Sequence, residues 1–102
     1  MGAEYQLRDY RIQPGEMKQW VKEWEEGVRP LREQLGFRVV GAWTIEDENR
    51  FVWILSWEGI GSFQEADRAY YDSPERAAIA PDPARLIVSS EHRMMRMVLP
   101  SS

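Results

Sequence analysis

His92 is the only histidine in the chain and has the one side chain whose ordinary pKa lies near neutrality, so it is the natural candidate for a general acid or base. The competing reading is a hydrogen-bonded structural histidine at an interface. Tyr70 is the second proton-bearing candidate. On a helix, Tyr70-Tyr71 sends one ring inward and one outward, and a buried phenol needs a polar partner such as a substrate oxygen. Trp43, Trp53, Trp57 and Tyr70 are candidate walls of an aromatic pocket, weighed against plain core packing. Arg8, Asp9 and Arg11 alternate along one segment, and Arg93 and Arg96 lie on another. Charges on buried strands are costly unless paired. These residues therefore pair with one another, sit at strand ends, or contact an anionic ligand, with Arg93 the candidate for that contact.

Much chemistry is excluded. The absence of cysteine removes disulfides, thiolate zinc sites, cysteine-ligated iron–sulfur clusters and a catalytic thiol. One histidine cannot build a histidine metal cluster, and Asp47-Glu48 lacks the ligand spacing of a calcium loop. There is no glycine-rich phosphate loop and no serine nucleophile elbow, so neither a metal nor a cofactor is expected. Thirteen basic residues against seventeen acidic ones give a net charge of −4, with no basic face for nucleic acid. The longest purely apolar run, Phe51–Leu55, falls far short of the roughly 20 residues of a membrane span. Met1-Gly2-Ala3-Glu4 does not read as a secretory signal, and Gln6 stands where a myristoylation motif carries Ser or Thr. The expected location is the cytoplasm.

The elements that must position these residues are legible as follows. Glu4–Ile12 reads as a strand closed by a Pro14-Gly15 turn. Met17, Trp20, Val21, Trp24, Val28, Leu31 and Leu35 recur every three or four residues, the apolar stripe of an amphipathic helix. Pro30 cannot donate to the carbonyl of Glu26, which predicts a kink or two abutting helices. Phe37–Glu46 and Phe51–Trp57 read as strands joined by a polar hairpin loop. Ser62-Phe63-Gln64-Glu65 fits a capping box at the head of a helix running to about Tyr71. Ser73-Pro74-Glu75 starts a short helical turn, Pro81-Asp82-Pro83 breaks the chain, and the last strand is expected at about Glu91–Val98, before a Pro100–Ser102 tail.

Residues 1–102 thus form a single α+β domain with the ferredoxin-like order βαββαβ: a four-stranded antiparallel sheet with both helices on one face. The two central strands are apolar on both sides. Depending on register, the helix-free face receives Val39, Trp43, Ile45, Val52 and Ile54, or Val40, Ala42, Phe51, Trp53, Leu55 and Trp57. Soluble monomers rarely expose either patch. A second copy of the same face is the simplest cover, which predicts a homodimer closed as a dimeric α+β barrel.

Tyr5-Gln6-Leu7-Arg8-Asp9-Tyr10 with Pro14-Gly15 and Trp20, then Pro30, Gly36-Phe37-Arg38-Val39-Val40-Gly41-Ala42-Trp43 and a third strand ending in Trp57, resembles the NIPSNAP family. The run from Trp57-Glu58 to Phe63, followed by Tyr70 and Ser73-Pro74-Glu75, is similar to the wider dimeric α+β barrel superfamily, which includes antibiotic biosynthesis monooxygenases. The resemblance spans about Tyr5 to Pro100. It implies a ferredoxin-like protomer, a barrel dimer and a ligand cleft between helices and sheet. It implies no particular reaction. Haem-degrading relatives pair an asparagine on the first strand with a tryptophan ending the third and a histidine on the second helix. Trp57 matches that tryptophan, and the other two residues have no counterpart here.

Three functions stay open. One is a binding protein for a small apolar or aromatic molecule, with Trp57, Trp53, Trp43, Tyr70 and Arg93 around the ligand. Another is a cofactor-independent monooxygenase of phenolic or polyketide-like substrates, with His92 or Tyr70 handling the proton. The third is a structural dimer with no pocket.

Overall fold

The computed structural model describes residues 2–99. The anticipated tail Pro100–Ser102 lies outside them. Four strands, β1 (Glu4–Ile12), β2 (Arg38–Ile45), β3 (Arg50–Trp57) and β4 (Ile87–Met95), form one antiparallel sheet in the order β2-β3-β1-β4. The helical segments are α1 (Met17–Glu23), α2 (Arg29–Gln34), α3 (Phe63–Asp72) and α4 (Pro74–Ala77). This is the expected α+β, ferredoxin-like order.

Local chemistry explains the boundaries. Pro30 forces a π turn, Trp24–Val28, between α1 and α2: the Arg29 N–H donates to the Trp24 carbonyl, five residues back, and Pro30 sits in the first turn of α2. These are the two abutting helices that Pro30 implies, joined without a gap by the π turn. The capping box forms as read, with Ser62 Oγ accepting from the Glu65 N–H and the Glu65 carboxylate accepting from the Ser62 N–H. At α4 the Ser73 hydroxyl alone is the cap, accepting from the Arg76 N–H. The last strand is Ile87–Met95, four residues earlier than anticipated. Its first residues carry no alternation, and the pairing of Ile12 with Ile87, followed by a register shift, fixes where it begins.

The helices cover the face carrying Tyr10, Phe51, Trp53 and Leu55. There Trp24 meets Phe51 edge-on at 5.2 Å and Trp53 at 5.3 Å, and Phe37 meets Phe63 at 5.4 Å. A bulge between Val39 and Gly41 turns Val39 toward Leu55 and the core. The helix-free face then carries Trp43 paired with Val52, Ile45 with Arg50, and Leu7 with Ile54. Trp43 is 53% exposed. Trp57, ending β3, packs its ring on Phe37 and between Gly36 and Gly59; a Cβ at Gly59 would stand 2.5 Å from that ring.

Candidate functional site

One row of residues crosses the inner face of the sheet: Ala42 on β2, Trp53 on β3, Arg8 on β1 and His92 on β4, each opposite the next. An arginine in the middle of a central strand has to be paired or hydrogen-bonded. Arg8 is 1% exposed. Its Nε donates to Tyr10 Oη at 2.7 Å, Nη1 to Gln6 Oε1 at 2.7 Å, and Nη2 to Tyr71 Oη at 2.6 Å. The neighbours at i−2 and i+2 hold the guanidinium from within β1, and α3 closes over it with Tyr71.

A second arginine comes from α2. Trp20, Trp24, Val28 and Arg32 form one row at i, i+4 spacing, so Arg32 enters the interior with that row and is 1% exposed. Its Nη1 donates to Asp67 Oδ1 at 2.7 Å, and its guanidinium carbon lies 3.7 Å from the centre of the Tyr70 ring and 4.7 Å from that of Phe37. The same Asp67 oxygen is 3.6 Å from Arg8 Nη1. One carboxylate therefore serves two buried guanidiniums.

Open space lies beside this cluster. A groove of about 280 Å³ runs between α3 and β4, with Arg8, Tyr10, Tyr71, Ile87, Ser90 and His92 among its walls. An inner chamber of about 50 Å³ adjoins it, sharing Tyr10, Tyr71 and Ile87 and adding Arg32, Trp53 and Tyr70. The β4 end of the sheet is where the helices stop covering it, so His92 remains accessible. Partial burial, then the positive charge of Arg8, holds the His92 imidazole below its ordinary pKa; Asp67 acts in the opposite sense. Burial pushes the Tyr70 and Tyr10 phenols up, so both are neutral near pH 7.

Of the residues singled out in the sequence, the structure brings Trp53, Tyr70 and His92 to this cleft. Trp57 stands at the far end of β3 in its glycine-lined niche. Trp43 and Arg93 belong to the helix-free face, where Arg93 pairs with Glu91 at 2.8 Å. Asp9 pairs with Arg50 at 3.1 Å. A wider groove of about 450 Å³ follows β2, bounded by Val21, Trp24, Glu25, Arg29 and Trp43; its charged members stand at an exposed rim and it contains no histidine or tyrosine. The sequence marks Arg8 only as a strand charge that is paired, at a strand end or on an anionic ligand, and it does not single out Arg32 or Asp67. The i, i+4 step from Val28 was the signal for Arg32. Among the described residues, no group of three or more His, Asp or Glu side chains can hold a metal ion, and no helix is long and apolar enough to cross a membrane.

Sheet order, two-layer packing and a helix–sheet cleft define a ferredoxin-like α+β protein. The NIPSNAP family profile matches residues 5–102, and the chain belongs to that family. Solved structures agree on the fold. An uncharacterised NIPSNAP domain protein from Burkholderia xenovorans superposes with a TM-score of 0.82 at 17% identity, covering 97% of this chain and 98% of its own. A NIPSNAP family protein from Agrobacterium tumefaciens gives 0.82 at 21% identity, covering 98% and 97%. A putative antibiotic biosynthesis monooxygenase from Nitrosomonas europaea gives 0.66 at 10% identity, covering 98% and 94%. No curated protein matches the sequence.

Proposed function

We propose that this NIPSNAP protein binds a small, flat, largely aromatic molecule in the cleft between α3, β1 and β4. The observation carrying this reading is the groove beside Arg8: a cavity of about 280 Å³ with two tyrosines and a histidine on its walls and a smaller chamber, lined by aromatic rings and two arginines, beside it. Tyr71 and Tyr10 supply ring faces, Trp53 and Tyr70 floor the chamber, and His92 stands at the mouth. The cleft favours a ligand-binding protein over a module that only dimerises. Tryptophan emission tests the proposal, because Trp53 lies at the back of the site. Titration of naphthalene- and phenol-type compounds should give a saturable change that Trp53→Phe abolishes. A flat response across such a panel contradicts it.

An accessible imidazole held below its ordinary pKa is neutral at pH 7 and free to take a proton. That observation favours a second reading, a cofactor-independent monooxygenase in which His92 forms the phenolate of an electron-rich substrate and Tyr70 orients it. Oxygen uptake in the presence of candidate phenols, lost in His92→Ala, separates this from binding alone.

The protein is further proposed to work as a homodimer joined through the helix-free face. Trp43, Val52, Ile54 and Leu7 support this as a contiguous apolar surface on paired strands. Sedimentation at micromolar concentration should give the dimer mass; a monomer contradicts the arrangement.

A further inference from the structure

The inner chamber is walled by hydrogen-bond donors that have nothing to bond. Arg32 Nε, Arg76 Nε, Trp20 Nε1, Trp53 Nε1 and the Tyr70 hydroxyl are all buried without a partner, and all five residues line the chamber. Buried polar groups are ordinarily satisfied, so several unmet donors around one space need an occupant. Four of the five, the two Nε–H groups and the two indole N–H groups, donate only. An amide or alcohol would bring donors of its own among them. A group made solely of acceptors would satisfy them.

Charge points the same way. Arg32 and Arg76 line the chamber and Arg8 lines the adjoining groove, while the carboxylates paired with the three are Asp67 and Asp82. Arginine does not release its proton in a folded protein, so one positive charge is left over. The neighbouring phenols do not cancel it, because burial keeps Tyr10 and Tyr70 protonated. A buried, uncompensated guanidinium is costly, and a monoanion would offset it. About 50 Å³ is room for one or two water-sized groups, taking a water's share of the liquid as about 30 Å³. That suits a carboxylate and is tight for a hydrated phosphate.

We propose that the ligand of the cleft is an aromatic carboxylic acid, its carboxylate in the chamber among Arg32, Arg76 and Tyr70 and its ring in the groove between Tyr71 and His92. This rests on the reading of the cleft as a binding site and specifies the class of molecule it takes. Arg8, already bonded to Gln6, Tyr10 and Tyr71, acts as the positioning residue that fixes the two tyrosines at the junction of groove and chamber.

Matched pairs of probes test it on the full chain: 1-naphthoate against 1-naphthalenemethanol, and benzoate against benzyl alcohol, titrated by calorimetry into wild type and Tyr70→Phe. The acid of each pair should bind about tenfold or more tighter than its alcohol. Tyr70→Phe keeps the ring under Arg32 and removes one donor, so it should weaken the acid by about three- to tenfold and change the alcohol by less than about twofold. Wild-type thermal stability in Tyr70→Phe verifies that the variant is folded. Acid and alcohol binding equally, with Tyr70→Phe changing neither, would overturn the carboxylate assignment and leave the cleft intact. No binding of any of the four compounds overturns both.

Discussion

The two ends of the inner sheet face are built on opposite principles. Toward β2 the interior is dry: Phe51 meets Trp24 at 5.2 Å and Trp20 at 5.6 Å, and no guanidinium stacks on these three rings. Toward β4 the same layer holds Arg8 and Arg32, each 1% exposed, with one shared carboxylate and three tyrosines. Polar interiors add little net stability relative to apolar ones of the same shape, so the β4 end is organised for something other than holding the fold together. The chamber and groove lie there, and the contrast is the physical basis for reading that end as the site.

Substitutions that act on one end alone sharpen this contrast. The largest effect belongs to the dry end. Phe51→Ala removes a fully buried ring touched edge-on by Trp20 and Trp24 and should cost about 3–5 kcal/mol in urea unfolding. Any ligand response should persist wherever the variant remains folded. Asp67→Ala takes away the carboxylate common to both arginines. Its side chain is 22% exposed, so the loss belongs near the low end of the range for a broken buried pair, about 3 kcal/mol. Equal, negligible costs for both variants would erase the distinction. Tyr70→Phe deletes a hydroxyl that has no partner, so its unfolding free energy should stay within about 0.5 kcal/mol of wild type.

The smallest effect concerns His92. Its folded pKa is lowered, by burial first and by Arg8 second. In the window between that lowered value and the unfolded value of about 6.5, the unfolded chain binds more protons than the folded one. The His92 contribution is therefore fully present above about pH 6.5 and is lost as the pH falls through that window. His92→Gln should flatten this part of the stability profile. An unchanged slope in the variant assigns the acid sensitivity to other groups.

Element order, capping box and the helical stripe are plain in the sequence because each rests on local chemistry: Ser62 and Glu65 three apart, apolar residues three or four apart, Pro14-Gly15 at a turn. The sheet register is not legible. Val52, Ile54 and their neighbours are apolar on both faces, so alternation carries no information, and the bulge at Val39–Gly41 mixes the two alternatives. The start of β4 is hidden for a related reason, since Ser89, Ser90, Glu91 and His92 read as polar on both sides. The site is half legible. His92, Tyr70 and Trp53 announce themselves by type; Arg8 shows only that a strand charge needs a partner, and Arg32 looks like a surface charge until tertiary packing buries it. Trp43 and Trp57 show the converse: ring type alone does not say which face or which end of the sheet a tryptophan occupies.

The most direct measurement is a crystal structure of the protein grown with 1-naphthoate. The ring should lie in the groove between Tyr71 and His92, with the carboxylate within hydrogen-bonding distance of Arg32 and Tyr70. Density for the compound only in the β2 groove beside Trp43, or on the helix-free face, would contradict the assignment of the β4 end as the binding site.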